Sequence, residues 1–309
     1  MGEPALRFPI FITGGSGLLG LNWAAHLREL GTVTLGLHHR DVALSGTRSV
    51  SCELDTLEAA MRTLAKAEPA LVVHAAGLTS VEHCEADPEL GRHVNVSLAG
   101  NVARAASQLG VPLIHVSTDH LHSGAQPLAD EETPLVPLNE YGRTKALAEA
   151  AVLEAHSHAL VVRTNFYGWG TSYRHSFSDT IIRRLRAGEP LTLFQDVHYT
   201  PIHLEAQRAA IFDLIASGVT GVVNIVGDQR LSKYEFGLKV ADRFGLNKDL
   251  IRPGRITEQV GLVRRPHDMS LSNARARTLL GRSLGDVDAH LALLKQQEEH
   301  GLAEELRKL

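Results

Sequence analysis

Residues 9–20 read PIFITGGSGLLG, and this stretch predicts the class of fold. The apolar run from Pro9 to Thr13 has the composition of a short buried strand. Glycine then recurs at every third position, at Gly14, Gly17 and Gly20. Because glycine lacks a Cβ atom, a phosphate group can approach the backbone closely at such a turn.

A helix is expected directly after this glycine turn. The residues from Leu21 to Leu30 read as a helix, and Gly31 ends the segment. A strand, a glycine turn and a helix form the context in which a helix N-terminus binds the pyrophosphate of a dinucleotide. The spacing is G-x-x-G-x-x-G rather than G-x-G-x-x-G, but the physical argument for phosphate binding is the same.

Further strands alternate with helices along the chain. Strands are predicted at Thr32–Leu37, Val50–Leu54, Ala70–His74, Pro112–Val116, Leu160–Thr164 and Val222–Val226. Helices are predicted at Thr56–Lys66, Asp87–Leu109, Asn139–His156, Ile181–Arg186, Leu204–Ser217 and Ser232–Phe244. This alternation predicts an α/β fold with a doubly wound parallel sheet of the Rossmann type.

The pattern changes after the sixth strand, so we expect a second, smaller α/β domain. Residues 1–165 with about 200–227 are assigned to the dinucleotide-binding domain. Residues of about 166–199 and 228–309 are assigned to a C-terminal substrate-binding domain. The tail from Asp286 places leucines mostly at helical spacing, which predicts an amphipathic helix packed on the second domain.

Composition excludes several classes of function. The chain has 309 residues, 44% hydrophobic and 21% charged, with a net charge of −4, which argues against a surface devoted to nucleic acid. No apolar run approaches the length of a membrane span. Two cysteines and an N-terminus unlike a signal peptide favour a cytoplasmic protein. The many histidines lack metal-site spacing, so no metal is expected.

A second motif is Tyr141-Gly142-Arg143-Thr144-Lys145. On a helix capped by Asn139, Tyr141 and Lys145 share one face, one turn apart. A nearby ammonium lowers the pKa of a phenol, so Tyr141 is expected to exchange a proton near neutral pH. A chance pair on a solvated helix is the alternative interpretation.

The end of the second predicted strand bears on the choice between NAD and NADP. An acidic residue at this position holds the adenosine ribose hydroxyls of NAD. This chain instead has His38-His39-Arg40, and no carboxylate occurs before Asp41. Since an arginine accepts a 2′-phosphate, NADP is favoured, with NAD as the alternative.

These motifs together resemble those of the extended short-chain dehydrogenases/reductases. The matching segments are Thr13-Gly14 with Gly17 and Gly20, Ser117-Thr118-Asp119, and Tyr141 to Lys145. The closer resemblance is to the dTDP-4-dehydrorhamnose reductase group, carried by residues 74–82 (HAAGLTSVE) and by Arg265-Pro266 with the leucines that follow.

The resemblance implies reduction of a 4-keto nucleotide-activated deoxy-sugar. Tyr141 is then the general acid, Lys145 binds the nicotinamide ribose and lowers the tyrosine pKa, and Thr118 hydrogen-bonds the reacting oxygen. The expected cofactor contacts are Gly14, Ser16, Gly17, Leu18, Gly20, His39, Arg40, Glu53, Leu54, Ala75, Ala76, Gly77, Tyr141 and Lys145. The expected substrate contacts are Thr79, Thr118, His120, Asn165 and Phe166. The family also implies a homodimer through the helices Asp87–Leu109 and Asn139–His156.

Departures from the group leave other functions open. His120 and His122 stand where the group has an aromatic residue and a Phe-Asp-Gly, which favours either a tolerated loop change or altered substrate choice. Asn165-Phe166-Tyr167-Gly168 resembles the sugar-nucleotide epimerase branch, whose members bind NAD tightly. A third interpretation is a regulatory subunit without turnover, like that of methionine adenosyltransferase. The arginines proposed either to bind a diphosphate or to be solvated are Arg183, Arg184, Arg264 and Arg265.

Overall fold

The computed structural model describes residues 7–259 and 261–309. Residues 1–6, which carry part of the expectation about a signal peptide, lie outside these ranges. The strands are β1 (Ile10–Thr13), β2 (Val33–Leu37), β3 (Arg48–Ser51), β4 (Leu71–His74), β5 (Leu113–Val116), β6 (Leu160–Arg163), β7 (Phe166–Tyr167), β8 (Leu191–Phe194), β9 (His198–Tyr199), β10 (Ile202–His203), β11 (Gly221–Asn224), β12 (Leu231–Ser232) and β13 (Ile251–Gly254). The helices are α1 (Leu18–Leu27), α2 (Leu57–Ala67), α3 (Val81–Ala86), α4 (Pro88–Arg92), α5 (Leu98–Gln108), α6 (Glu140–Ala155), α7 (Phe177–Arg186), α8 (Leu204–Ala216), α9 (Lys233–Phe244), α10 (Ala274–Leu280), α11 (Val287–Glu299) and α12 (Leu302–Arg307).

A parallel sheet organises the fold. Within the described residues it has seven strands in the order β11-β6-β5-β4-β1-β2-β3. The order turns back between β1 and β4, and ligands bind at such a switch point in doubly wound sheets. Thr13 pairs with His74 across this point. The predicted α/β fold of the Rossmann type is therefore confirmed.

The central strands form because they are apolar at nearly every position. β1, β2, β4 and β6 are buried along their whole length, as expected for parallel strands covered on both faces. One apolar cluster includes Ile12 and Val73, and a second includes Phe11 and Val72. Neighbouring residues of one strand thus contribute to different clusters, because side chains alternate between the two faces of a sheet.

Several predicted boundaries are wrong. Helix α7 begins at Phe177 rather than Ile181, because Ser176 is its N-cap, and α1 ends at Leu27 rather than Leu30. The first helix begins at Leu18 rather than Leu21, because Gly17 acts as its N-cap and accepts a hydrogen bond from Leu21 N at 3.1 Å. The third strand is Arg48–Ser51 rather than Val50–Leu54. Beyond Ser51 the apolar side chain of Leu54 still packs in the core, which made the strand look longer in the sequence.

The helix predicted from Asp87 to Leu109 is interrupted. Asp87 caps α4 through Leu90 N, as predicted, but residues 93–97 form a π-helical turn before α5. Such turns are rare and recur at functional sites. Here the turn carries Asn95, whose side chain hydrogen-bonds Leu78 N at 2.8 Å and the Thr144 hydroxyl at 2.9 Å.

In the described part of the chain, the C-terminal segments build three small two-stranded sheets and pack helices beside the main sheet. β11 and α8 return to the main sheet, while the capping box of Ser232 and Glu235 opens α9 as predicted. The tail is two helices rather than one, since Gly301 has a φ of 87° between α11 and α12. Arg28 and Glu305 pair α12 with α1, so the tail also contacts the first part of the chain. The division into two domains stays a prediction.

In the described ranges, no helix is both long and apolar enough to cross a membrane.

Candidate active site

The glycine turn is pressed against the loop that follows β4. Gly14 has a φ of 68°, and a Cβ atom added there would lie 2.7 Å from Ala76 N. A Cβ on Gly20 would lie 2.8 Å from Gly14 O. Gly17 caps α1, so the free amides of the helix begin at this turn. The turn and the loop of Ala75, Ala76 and Gly77 therefore fit a pyrophosphate close to the backbone.

Arg40 and Ser16 are joined through a residue that the sequence interpretation missed. The Arg40 guanidinium lies 4.1 Å from the centre of the Tyr173 ring. The Tyr173 hydroxyl donates a 2.9 Å hydrogen bond to Ser16 O in the glycine turn. The ring of His39, beside Arg40, lies 4.2 Å from that of His38. The Arg40 guanidinium, which follows β2, is thus linked through Tyr173 to the glycine turn.

Tyr173 belongs to a segment of residues 171–175, which we call the strap. The next residue, Arg174, donates a 2.6 Å hydrogen bond to the Thr79 hydroxyl. The strap therefore spans from the glycine turn to the loop after β4, across the switch point of the sheet. Thr79, expected to contact substrate, is exposed beneath it.

Tyr141 is buried at the start of α6. Asn139 caps this helix as predicted, accepting a 2.9 Å hydrogen bond from Gly142 N. Burial raises the pKa of Tyr141 to about 12, and a hydrogen bond with the Thr118 side chain opposes that rise. The expectation of a lowered tyrosine pKa is therefore wrong for this structure, because desolvation of the phenolate outweighs the hydrogen bond with Thr118 and the charge of Arg174.

Lys145 lies one turn along α6 and binds the neighbouring strand. Its ammonium donates to Val116 O at 2.8 Å and lies 3.4 Å from His115 Nε2. Burial lowers the pKa of Lys145 to about 8. The predicted pairing of Tyr141 and Lys145 on one helix is present, but the charge is directed at β5 rather than at the phenol.

Two histidines beneath Lys145 were not predicted as part of the site. His74 and His115 are paired in register and their rings stack at 5.3 Å. A 2.8 Å hydrogen bond joins His74 Nδ1 to the Thr13 hydroxyl. Burial, then the charge of Lys145, lowers the pKa of His74 to about 3, so this ring is neutral. The sequence did contain a signal for this pair, because each histidine lies at or next to the carboxyl end of a predicted strand.

The expected substrate contacts gather around Tyr141. Asn165 donates a 2.6 Å hydrogen bond to Asp119, whose other carboxylate oxygen accepts from the Thr118 hydroxyl at 3.3 Å. The His120 ring stands edge-on to Tyr141 with its centre 5.5 Å away, and burial lowers its pKa. Phe166 follows Asn165 in β7 and is partly buried.

Other candidates lie apart from this cluster. Leu54 is buried in the core and its carbonyl accepts from Asn101 at 2.9 Å, while Glu53 is exposed. His122 is held by Pro134 O at 3.2 Å. Arg184 contacts Glu189, and Arg265 pairs with Glu82. Leu18 is the first residue of α1, next to the turn.

Over residues 7–259 and 261–309, no group of three or more histidine, cysteine or acidic side chains is placed to hold a metal ion.

Comparison with known proteins agrees with this geometry. The model of the RmlD substrate binding domain matches residues 8–298. The chain belongs to this family. The resemblance to the short-chain dehydrogenases/reductases, and to the dTDP-4-dehydrorhamnose reductase group within them, is confirmed.

Proteins with different roles are similar to this chain. A probable low-salt glycan biosynthesis reductase, Agl14, of Haloferax volcanii is 28% identical, over 92% of this chain and 96% of that protein. The methionine adenosyltransferase 2 subunit beta of Mus musculus is 26% identical, over 87% of this chain and 82% of that protein.

Two solved structures are similar to this chain in their fold. The hypothetical dTDP-4-dehydrorhamnose reductase of Sulfolobus tokodaii superimposes with a TM-score of 0.78 at 26% identity, over 91% of this chain and 98% of that one. The dTDP-4-dehydrorhamnose reductase of Bacillus anthracis, solved in complex with NADP, has the same fold, with a TM-score of 0.80 at 23% identity, over 93% and 98% of the two chains.

Proposed function

We propose that this protein is an NADP-dependent reductase of a 4-keto nucleotide-activated deoxy-sugar, with NAD as the alternative cofactor. The observation that carries the proposal is a buried cluster in which the His120 ring lies 5.5 Å from the Tyr141 ring, centre to centre, and the His120 amide donates a 3.3 Å hydrogen bond to the Thr118 hydroxyl. Two hydroxyl groups that converge in a buried site can both bind one ketone oxygen. The family and its reductases support this assignment.

Tyr141 supplies the proton in this proposal. Its phenol, with a pKa raised to about 12 by burial, is protonated at neutral pH and so carries the proton that reduction of a ketone consumes. Tyr141 then delivers a proton to the ketone oxygen, and Thr118 orients that oxygen. A bound nicotinamide supplies the hydride for the same reduction.

The remaining contacts divide between the two ligands. The turn of Gly14 and Gly17 would hold the pyrophosphate, and Arg40, over the Tyr173 ring, would donate hydrogen bonds to a 2′-phosphate. Lys145, whose ammonium is hydrogen-bonded to Val116 O, would hold the nicotinamide ribose. Asn165 and His120 would contact the sugar beside Tyr141. A cytoplasmic location and a homodimer stay predictions.

The test is oxidation of NADPH, followed by its absorbance, with a panel of 4-keto nucleotide sugars. Turnover with at least one of them is expected, and its loss in Thr118→Val would tie it to this site. Ser123→Ala, a nearby hydroxyl on the loop after β5, serves as the control. Oxidation with none of the sugars contradicts the proposal, and NAD that copurifies with the protein favours an epimerase.

A second candidate function is a regulatory subunit without turnover. The similarity to the methionine adenosyltransferase 2 subunit beta favours it. In that case the protein would bind NADPH, copurify with a larger enzyme, and show no oxidation with any sugar. The proposed convergence of Thr118, Tyr141 and Lys145 would then have no chemical role, and Tyr141→Phe would leave partner binding unchanged.

A further inference from the structure

Lys233, the first residue of α9, holds its ammonium over two aromatic rings. Its Nζ lies 3.4 Å from the centre of the Tyr199 ring and 4.9 Å from that of Phe177. The residue is partly buried. Among the described residues, no carboxylate lies close enough to form an ion pair or a hydrogen bond with this ammonium. The capping box identified the start of α9 in the sequence but assigned Lys233 no role.

The position is unfavourable for a cation. The N-terminus of a helix carries a partial positive charge and repels an ammonium. The Arg265 guanidinium is a further like charge close by, and burial lowers the pKa of Lys233 to about 8. The face of Tyr199 stabilises the charge only in part. Local conflicts of this kind are typical of functional sites.

Lys233 lies beside the proposed reaction centre. The Asp119 carboxylate favours the charged form of Lys233, and the Lys233 charge in turn lowers the pKa of His120. His120 stands 5.5 Å, ring centre to ring centre, from Tyr141. Asp119 accepts hydrogen bonds from Asn165 and Thr118, and it forms no ion pair with Lys233 in the described chain.

We propose that Lys233 is a specificity-determining residue that binds a negatively charged oxygen of the substrate close to the sugar. This proposal rests on the proposed function. The Lys233 ammonium, unpaired within the described chain, selects an anionic oxygen because such a partner offsets burial, the helix dipole and Arg265 together. The anionic oxygen belongs either to the diphosphate or to a carboxylate on the sugar.

The experiment compares Lys233→Met with Lys239→Met, a control on the same helix that removes an equal charge from a lysine paired with Asp288. Calorimetry measures the affinity of the full chain with NADPH for dTDP and for UDP. Steady-state kinetics measure KM for 4-keto nucleotide sugars with and without a carboxylate on the sugar. Lys233→Arg, which keeps the charge, is expected to restore part of any loss.

Lys233→Met is expected to weaken the binding of one of these ligands by about tenfold or more, because a charged hydrogen bond is lost. The affinity for NADPH is expected to stay unchanged, and Lys239→Met is expected to bind every ligand as the wild type does. Weaker dTDP or UDP binding identifies the diphosphate. Unchanged nucleotide binding with a raised KM only for the carboxylated sugar identifies the carboxylate. If neither changes, or if the wild-type chain binds no such anion, the role of Lys233 is overturned.

The two proposals fail separately in this design. A wild-type chain that oxidises no NADPH with any sugar removes the proposed function. If nucleotide binding is still weaker in Lys233→Met than in the wild type, the anion site is supported even though the proposed function is not. If the wild type turns over a sugar, and Lys233→Met binds the nucleotides and turns over the sugars equally well, only the anion site is removed.

Discussion

The Lys145 ammonium donates a 2.8 Å hydrogen bond to the carbonyl oxygen of Val116. Val116 ends β5, and the chain continues from it to Thr118. Tyr141 lies on the same helix as Lys145, so this hydrogen bond ties together the two elements that carry the reacting hydroxyls. The buried ammonium therefore positions the site in addition to its expected contact with the cofactor.

Lys145→Met is expected to abolish turnover and to raise stability. Keeping an ammonium in a site that lowers its pKa from 10.5 to about 8 costs roughly 3 kcal/mol near neutral pH. Loss of the hydrogen bond to Val116 offsets part of this, which leaves a gain of about 1–2 kcal/mol. Denaturant unfolding measures the gain, and Lys66→Met on exposed surface is the control.

The same variant has a pH dependence with a definite sign. Between about pH 8 and 10.5 the unfolded chain binds a proton that the folded chain has lost, so the wild type gains stability as pH rises. The advantage of Lys145→Met is thus full below about pH 8 and shrinks above it. An advantage that grew with pH would contradict the burial of a charged Lys145.

Tyr141→Phe is expected to lower kcat by roughly 100-fold or more, because the proton donor is lost. The affinity for NADPH, measured by fluorescence titration, is expected to change little, since the ring remains. Tyr234→Phe, at a partly buried tyrosine on α9, is the control. Turnover that survives in Tyr141→Phe would show that another group supplies the proton.

Arg40→Asp is expected to shift preference from NADPH toward NADH. A carboxylate at the end of β2 repels the 2′-phosphate and accepts from the free ribose hydroxyls instead. The ratio of kcat/KM for the two cofactors is expected to fall about tenfold or more. Arg62→Asp makes the same charge change on exposed surface of α2. Equal ratios in the wild type and Arg40→Asp would remove Arg40 as the selector.

Gly14→Ala is expected to abolish dinucleotide binding. The added Cβ would lie 2.7 Å from Ala76 N, so the glycine turn and the loop after β4, which together are proposed to hold the pyrophosphate, would be forced apart. Gly110→Ala is a matched control, since both glycines have a φ of 68° but Gly110 has nothing within 4 Å. Both variants are expected to lose about 1 kcal/mol from the left-handed backbone. Gly14→Ala is expected to lose more, because its Cβ would also meet the backbone of Ala75 and Ala76. Calorimetry with NADPH separates the two, and equal binding in both would contradict a pyrophosphate at the turn.

Local patterns predicted most of the fold and part of the site. The apolar runs predicted β1, β4 and β6, because a strand that is buried on both faces is apolar at nearly every position and so is easily recognised. Asn139 located the start of α6, since an N-cap acts within one turn of its helix. The π-helical turn at residues 93–97 has no such local signal, and it was missed.

The sequence by itself determined the parallel sheet, the glycine turn at its switch point and the placing of Tyr141 and Lys145 on one helix face. These features depend on residues a few positions apart. Only the tertiary structure decided that Tyr173 meets Ser16, 157 residues away, and that Arg174 meets Thr79, 95 residues away. It also decided the pKa of Tyr141, because desolvation depends on everything packed around the phenol and not on its neighbours in the chain.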